Sequence, residues 1–186
     1  MTARGRILFV AAVGAVLAGL VHLASILLVP PLADRDARAR IVAAAPGERF
    51  AVLARPTPEA SLLPFMDPAA VLAACVFDLA DGPMRIRAAA GEVFLSLSLH
   101  QAGGGVFYAL TDRSSNRGLI DILLLTQAQF DAVSARDNED EPVRELRIVA
   151  PNPEGFVVIR AVAAVPSQRP AAETLAARAT CAKEKI

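Results

Sequence analysis

Apolar positions along this chain follow two rhythms. From Ile7 to Val29 they run for 23 residues without a formal charge. At about 1.5 Å rise per residue such a helix is about 34 Å long, against about 30 Å of bilayer hydrocarbon. The pattern predicts a membrane-spanning helix closed off by Pro30-Pro31. Fourteen of these positions are Leu, Ile, Val or Phe, each contributing about −0.3 to −0.6 kcal/mol to insertion near the helix centre. A cleaved signal peptide shares the basic start, Arg4 and Arg6, but its apolar stretch runs about 7–15 residues and ends in a small-x-small site. The best such site here, Pro31-Leu32-Ala33, has Pro where a small residue is wanted. Residues 1–33 are therefore expected to be a retained anchor.

Residues 34–48 are charged and Ala-rich, a juxtamembrane linker or a short helical continuation. From about residue 49 to 186 the rhythm becomes period two, broken by Pro, Gly and Asp. The clearest strand is Val93–His100, with Val93, Leu95, Leu97 and Leu99 on one face and Phe94, Ser96, Ser98 and His100 on the other. It is followed by Gly103-Gly104-Gly105 and Val106–Thr111, a hairpin signal. Further strands are expected at Arg49–Ala54, Cys75–Leu79, Met84–Ala88 (after the Asp81-Gly82-Pro83 turn), Ile120–Thr126, and Arg144–Val149 paired with Phe156–Val162. Asp67-Pro68 reads as the start of a short helix to Ala74; Gln127–Ser134 and Pro170–Lys183 also read as helices. Arg136–Pro142 is a polar loop. The expected fold is mainly β: one antiparallel sandwich or barrel-like domain with short helices, preceded by a single transmembrane helix.

The chain holds 19 basic and 19 acidic side chains. Without Arg4 and Arg6 the balance is 17 against 19, so the domain beyond the anchor is slightly acidic. That gives no footprint for nucleic acid. The two cysteines, Cys75 and Cys181, both lie beyond the anchor. An oxidising compartment permits one disulfide between them; two buried free thiols are the alternative. Lys/Arg flank both ends of the span, and the very short head favours the amino terminus inside. The expected orientation is amino terminus cytoplasmic and domain outside, with the lipid bilayer contacted through Ile7 to Val29.

The chain has no nucleophile elbow, zinc-protease motif, phosphate-binding loop or dinucleotide fingerprint. No cofactor and no metal site are expected; the Asp137–Glu141 run lacks the Gly and spacing of a calcium loop. His100 is the only histidine beyond the anchor, hence the one unperturbed side chain suited to proton transfer near neutral pH. It sits at a strand end, and Asp112 and Arg113 head the densest polar stretch near it. The hairpin pattern sets Asp112 across from Val93 rather than His100, which argues against a His100–Asp112 pair. Arg85 and Arg87 share a strand face and could grip an anion, or pair with acids on the next strand. Within the span, His22 reads as a neutral imidazole near the headgroups, and Ala11, Ala15 and Gly19 as a small-residue ladder in an Ala/Gly-rich stretch.

Leu63-Pro64-Phe65-Met66-Asp67-Pro68, then Cys75-Val76-Phe77-Asp78-Leu79 and Gly82-Pro83, resemble the family filed as domain of unknown function 1254, whose small bacterial members are membrane-anchored. The similarity extends to Phe107-Tyr108, Thr111-Asp112-Arg113, Leu123–Thr126, Gly155-Phe156 and a Cys near the C-terminal end, here Cys181. The resemblance implies a bacterial inner membrane and a β-rich, periplasmic envelope domain, and it supplies no activity or catalytic residue. The expected function is a membrane-anchored periplasmic binding or assembly module, with an envelope protein as its partner. The alternative is an envelope hydrolase or other enzyme using His100 and polar loop residues.

Overall fold

A computed structural model describes residues 2–32, 37–103, 105–137 and 145–185. The chain divides into two compact units, residues 1–35 and 36–186. The first is the helix α1, Ala3–Leu32, whose described side chains point outward along its length. Its Ala3–Val29 stretch has a mean hydropathy of 2.5 and is long enough to cross a bilayer.

The second unit is a two-sheet β domain. It comprises α2 (Ala37–Ala44), β1 (Ala51–Val52), β2 (Ala70–Asp78), β3 (Met84–Ala89), β4 (Phe94–Gln101), β5 (Val106–Thr111), β6 (Leu119–Leu125), α3 (Gln127–Ser134), β7 (Leu146–Val149), β8 (Glu154–Val162), α4 (Arg169–Ala177) and β9 (Thr180–Lys183). One sheet runs β1-β2-β8-β4-β5 and the other β7-β6-β3-β9. Alternation builds the core between them. Leu95, Leu97 and Leu99 of β4 meet Met84, Ile86, Ile122 and Leu124 of the facing sheet. Cys75 on β2 and Cys181 on β9 are disulfide-bonded across this core, with Cα atoms 6.5 Å apart. The bond joins one sheet to the other.

Several expected elements are revised. Ala70–Ala74 is not a helix but the first half of β2. Asp67 and Pro68 do form a turn, the Asp67 carboxylate accepting from the Ala69 N–H. The run lacks alternation because β2 is buried on both faces, a pattern that periodicity cannot assign. Val71 and Ala73 pack inward, while Leu72 and Ala74 pack outward under Ile41 of α2. The C-terminal helix stops at Ala177, and Thr180–Lys183 crosses to β3 as an edge strand. Arg49–Ala54 contracts to the two-residue β1.

The expected pairing of β7 with β8 is also corrected. β7 lies parallel to β6 in one sheet, and β8 lies between β2 and β4 in the other. Pro151 and Pro153 in the connection cannot donate to a hairpin ladder, and β8 carries apolar residues on both faces, as an interior strand should. The β4–β5 hairpin forms as its glycines imply; Gly104 lies outside the described residues, as do Asn138–Arg144. α3 starts at a complete capping box. Thr126 Oγ1 accepts from the Gln129 N–H, and the Gln129 side chain accepts from the Thr126 N–H at 2.9 Å.

Candidate functional site

The outer face of the five-stranded sheet carries three cross-strand rows set by register. Leu72, Arg160 and Ser96 form the first, Ala74, Val158 and Ser98 the second, and Val76, Phe156 and His100 the third. Because side chains alternate along a strand, these positions face away from the inter-sheet core. α2 and the loop through Leu62, Leu63 and Met66 cover the β2 side of the rows. Arg40 Nη1 donates to the Leu62 carbonyl at 3.1 Å and fixes helix to loop.

The cover stops short of β4. A groove of about 420 Å³ remains over β8 and β4, within the ~300–1,000 Å³ usual for small-molecule sites. Its walls are Ile41, Leu63, Phe65 and Met66 on one side and Val106 on the other; Ser96, Ser98, His100, Phe156, Val158 and Arg160 form the floor. The His100 ring stacks on Phe156, with centroids 4.6 Å apart. His100 Nε2 lies 2.9 Å from Ser98 Oγ. Arg160 is exposed, and no hydrogen bond or ion pair engages its guanidinium among the described residues. Phe65 stands at the rim fully exposed, at 103%. Its φ of 58° is a left-handed conformation that is uncommon for a bulky residue.

A second charged cluster occupies the outer face of the other sheet. Arg85 forks onto Asp121 through Nε at 2.8 Å and Nη2 at 2.9 Å. Arg87 Nε donates to the same carboxylate at 3.2 Å, and Glu145 and Glu184 flank Arg85. The Asp121 hydrogen bond, opposed by burial, raises the Arg85 pKa. Burial alone would raise the Asp121 carboxyl, but hydrogen bonds and charge from Arg85 and then Arg87 outweigh it and hold the group below its ordinary value. Arg147 binds Glu145 and Asp137, and the Asp137 bond raises its pKa. The fork that a ligand carboxylate would use on Arg85 is engaged within the protein.

Over residues 47–183 the chain matches the family described as "Protein of unknown function (DUF1254)". The chain belongs to the DUF1254 family. The crystal structure of the VPA0106 protein from Vibrio parahaemolyticus is similar to this DUF1254 chain with a TM-score of 0.54 and 12% identity, over 79% of this chain and 34% of that one. A crystal structure of an uncharacterized protein from Burkholderia cenocepacia aligns with a TM-score of 0.49 and 13% identity, over 81% of this chain and 40% of that one. The DUF1254 chain thus spans well under half the length of either. At such identity the first likeness speaks to the mainly β fold alone. No curated protein matches the sequence.

Within this DUF1254 domain the expected site residues lie in three separate places. His100 is on the groove floor. Asp112 and Arg113 sit in a short turn after β5, and Thr111 is paired with Ser96. Asp112 therefore follows the Leu95 row rather than Val93, some 16 Å along the strand from His100 at about 3.3 Å per residue. Arg85 and Arg87 lie on the other sheet. Ser98, Phe156, Val158 and Arg160 were not singled out from sequence. A lone Arg inside the apolar run Phe156–Val162 is the one signal that could have pointed there.

Proposed function

We propose that this DUF1254 protein is a single-pass protein of the bacterial inner membrane that presents its β domain on the periplasmic side as a binding module, with the groove as its binding surface. The observation that carries the reading is the groove itself, with apolar walls and a floor of hydroxyl, imidazole and guanidinium groups. Pockets that hold small molecules are mostly apolar with a few placed polar groups. The charge-free Ile7–Val29 run of α1 supports the anchor, and the Cys75–Cys181 bond suits an oxidising compartment.

A second reading, an envelope hydrolase, rests on the Ser98–His100 contact, with Ser98 as nucleophile and His100 as base. The surroundings favour binding instead. β4 and β8 are interior strands whose ladder pairs both neighbours, so their backbone N–H groups are engaged and do not form an oxyanion hole.

The test is thiol labelling of intact spheroplasts with a membrane-impermeant maleimide, with and without reduction and denaturation, beside external protease. Labelling only after reduction and denaturation, with protease removing the domain, is the expected result. Protease protection, with labelling after lysis and no need of reductant, would place the domain in the cytoplasm and overturn the reading.

A further inference from the structure

We propose that the groove holds a single-chain fatty-acid-type carboxylate, its chain against Leu63, Phe65, Met66, Phe156 and Val158 and its head group on Arg160. The proposal deepens the binding-module reading and rests on it. Charge complementarity selects the head group. Arg160 projects from β8 between Leu72 and Ser96, and no carboxylate of the described protein pairs with it, unlike Arg85, Arg147 and Arg169, each of which faces a protein acid. A guanidinium fork takes a carboxylate in two parallel hydrogen bonds, and the Ser96 hydroxyl across the row can donate a third.

Apolar surface selects the tail. From the Arg160 row to the Phe156 row the floor extends four residues along β8, about 13 Å at 3.3 Å per residue. It passes Val158 and ends at the stacked rings of Phe156 and His100. The 420 Å³ volume lies at the small end of the ~300–1,000 Å³ range for ligand sites, which suits one chain better than two. Phe65 supplies the third observation. A fully exposed aromatic held at positive φ gains no burial to offset its backbone strain, and such strain gathers at ligand clamps. An alkyl chain in the groove would give that ring a partner.

The experiment uses the full chain in proteoliposomes with a diazirine-bearing palmitic acid, photolysed and mapped by peptide mass spectrometry. Adducts on the peptides carrying Leu63–Met66 and Val158 are expected beside adducts on α1, which faces lipid and acts as the internal reference. Arg160→Gln should lower groove labelling relative to α1 by at least about tenfold, the scale of losing a charge-assisted hydrogen bond. Adducts on α1 without groove adducts would overturn the proposal. Equal groove labelling by the matching diazirine fatty alcohol, or by wild type and Arg160→Gln, would overturn the carboxylate head group while leaving the binding-module reading standing. Preferential labelling by a photoreactive lysophospholipid would replace the fatty acid with a phosphate-headed chain. Absence of α1 adducts would refute the membrane reading itself.

Discussion

Breaking the Cys75–Cys181 bond should cost the domain a large share of its stability. The two residues are 106 apart in sequence, so the bond closes a loop across nearly the whole β domain. In the chain-entropy description a loop of that length confines the unfolded chain by about 4.7 kcal/mol. Whole domains are typically stable by only about 5–15 kcal/mol. Reduction is a cleaner perturbation than substitution, since both sulfurs are buried in the inter-sheet core and replacing them would add a packing loss. With a urea dependence of about 2 kcal/mol/M, reduction should move the unfolding midpoint down by roughly 2 M. The assay is urea unfolding of the full chain in detergent micelles, followed by far-ultraviolet circular dichroism with and without a phosphine reductant. The oxidised chain should also show a shallower urea dependence, because its denatured state exposes less surface. A midpoint shift under about 0.3 M, well short of the loop-closure figure, would refute the reasoning. The unfolded chain would then be confined by something other than the bond.

Three further outcomes follow from local geometry. Gly155→Ala should destabilise by at least the ~1–3 kcal/mol of overpacking, because a Cβ there overlaps the His100 carbonyl and the Phe77 ring; a midpoint within error of wild type would show that β4 and β8 part at no cost. Thr126→Ala should cost about 1 kcal/mol by removing the capping box of α3, and Thr126→Ser should restore most of it. A full loss with Ser would mean that the Thr methyl, not the hydroxyl, matters. Asp121, held below its ordinary value of 3.8 against the pull of burial, stabilises the fold at pH values above the carboxylate range, and that contribution is lost as pH falls through its lowered folded-state value. Urea midpoints between pH 5 and 2 should fall more steeply for wild type than for Asp121→Asn, and parallel curves would remove Asp121 from the acid response.

The parts legible in the sequence were those that depend on near neighbours. β4 alternates cleanly, so its buried leucines were identified one by one. α3 was read over Gln127–Ser134 and forms there, and its start is held by the local Thr126–Gln129 capping box, a signal the reading of the sequence did not use. β2 failed the same treatment: Val71 and Ala73 meet one layer while Leu72 and Ala74 meet another, so no alternation survives and an Ala-rich run after Asp67-Pro68 looks helical. β9 failed for a related reason. Thr180–Lys183 continues an Ala-rich segment with good helix propensity, and pairing with β3 overrides that local preference. His100 was singled out as the lone histidine of the domain, but its neighbours Phe156 and Ser98 depend on which strand lies beside β4, and strand order is not carried by periodicity.

The groove makes the same point from the other side. Across the sheet from β2 to β4, its rows change character: Leu72 gives way to Arg160 and Ser96, Ala74 to Val158 and Ser98, Val76 to Phe156 and His100. Under α2 and the Leu62–Met66 loop the outer face is apolar and buried, because exposed apolar surface there would cost about 25 cal/mol per Å². Beyond the cover it turns polar. The uncovered side is not polar throughout, since Val158 and Val106 remain there. A face selected only for water would have lost them, and a face selected only for burial would not hold Arg160 without an acid. Apolar and cationic groups together, at the place where the cover ends, are what an amphipathic ligand would meet, and the gradient that brings them there runs between strands rather than along any one of them.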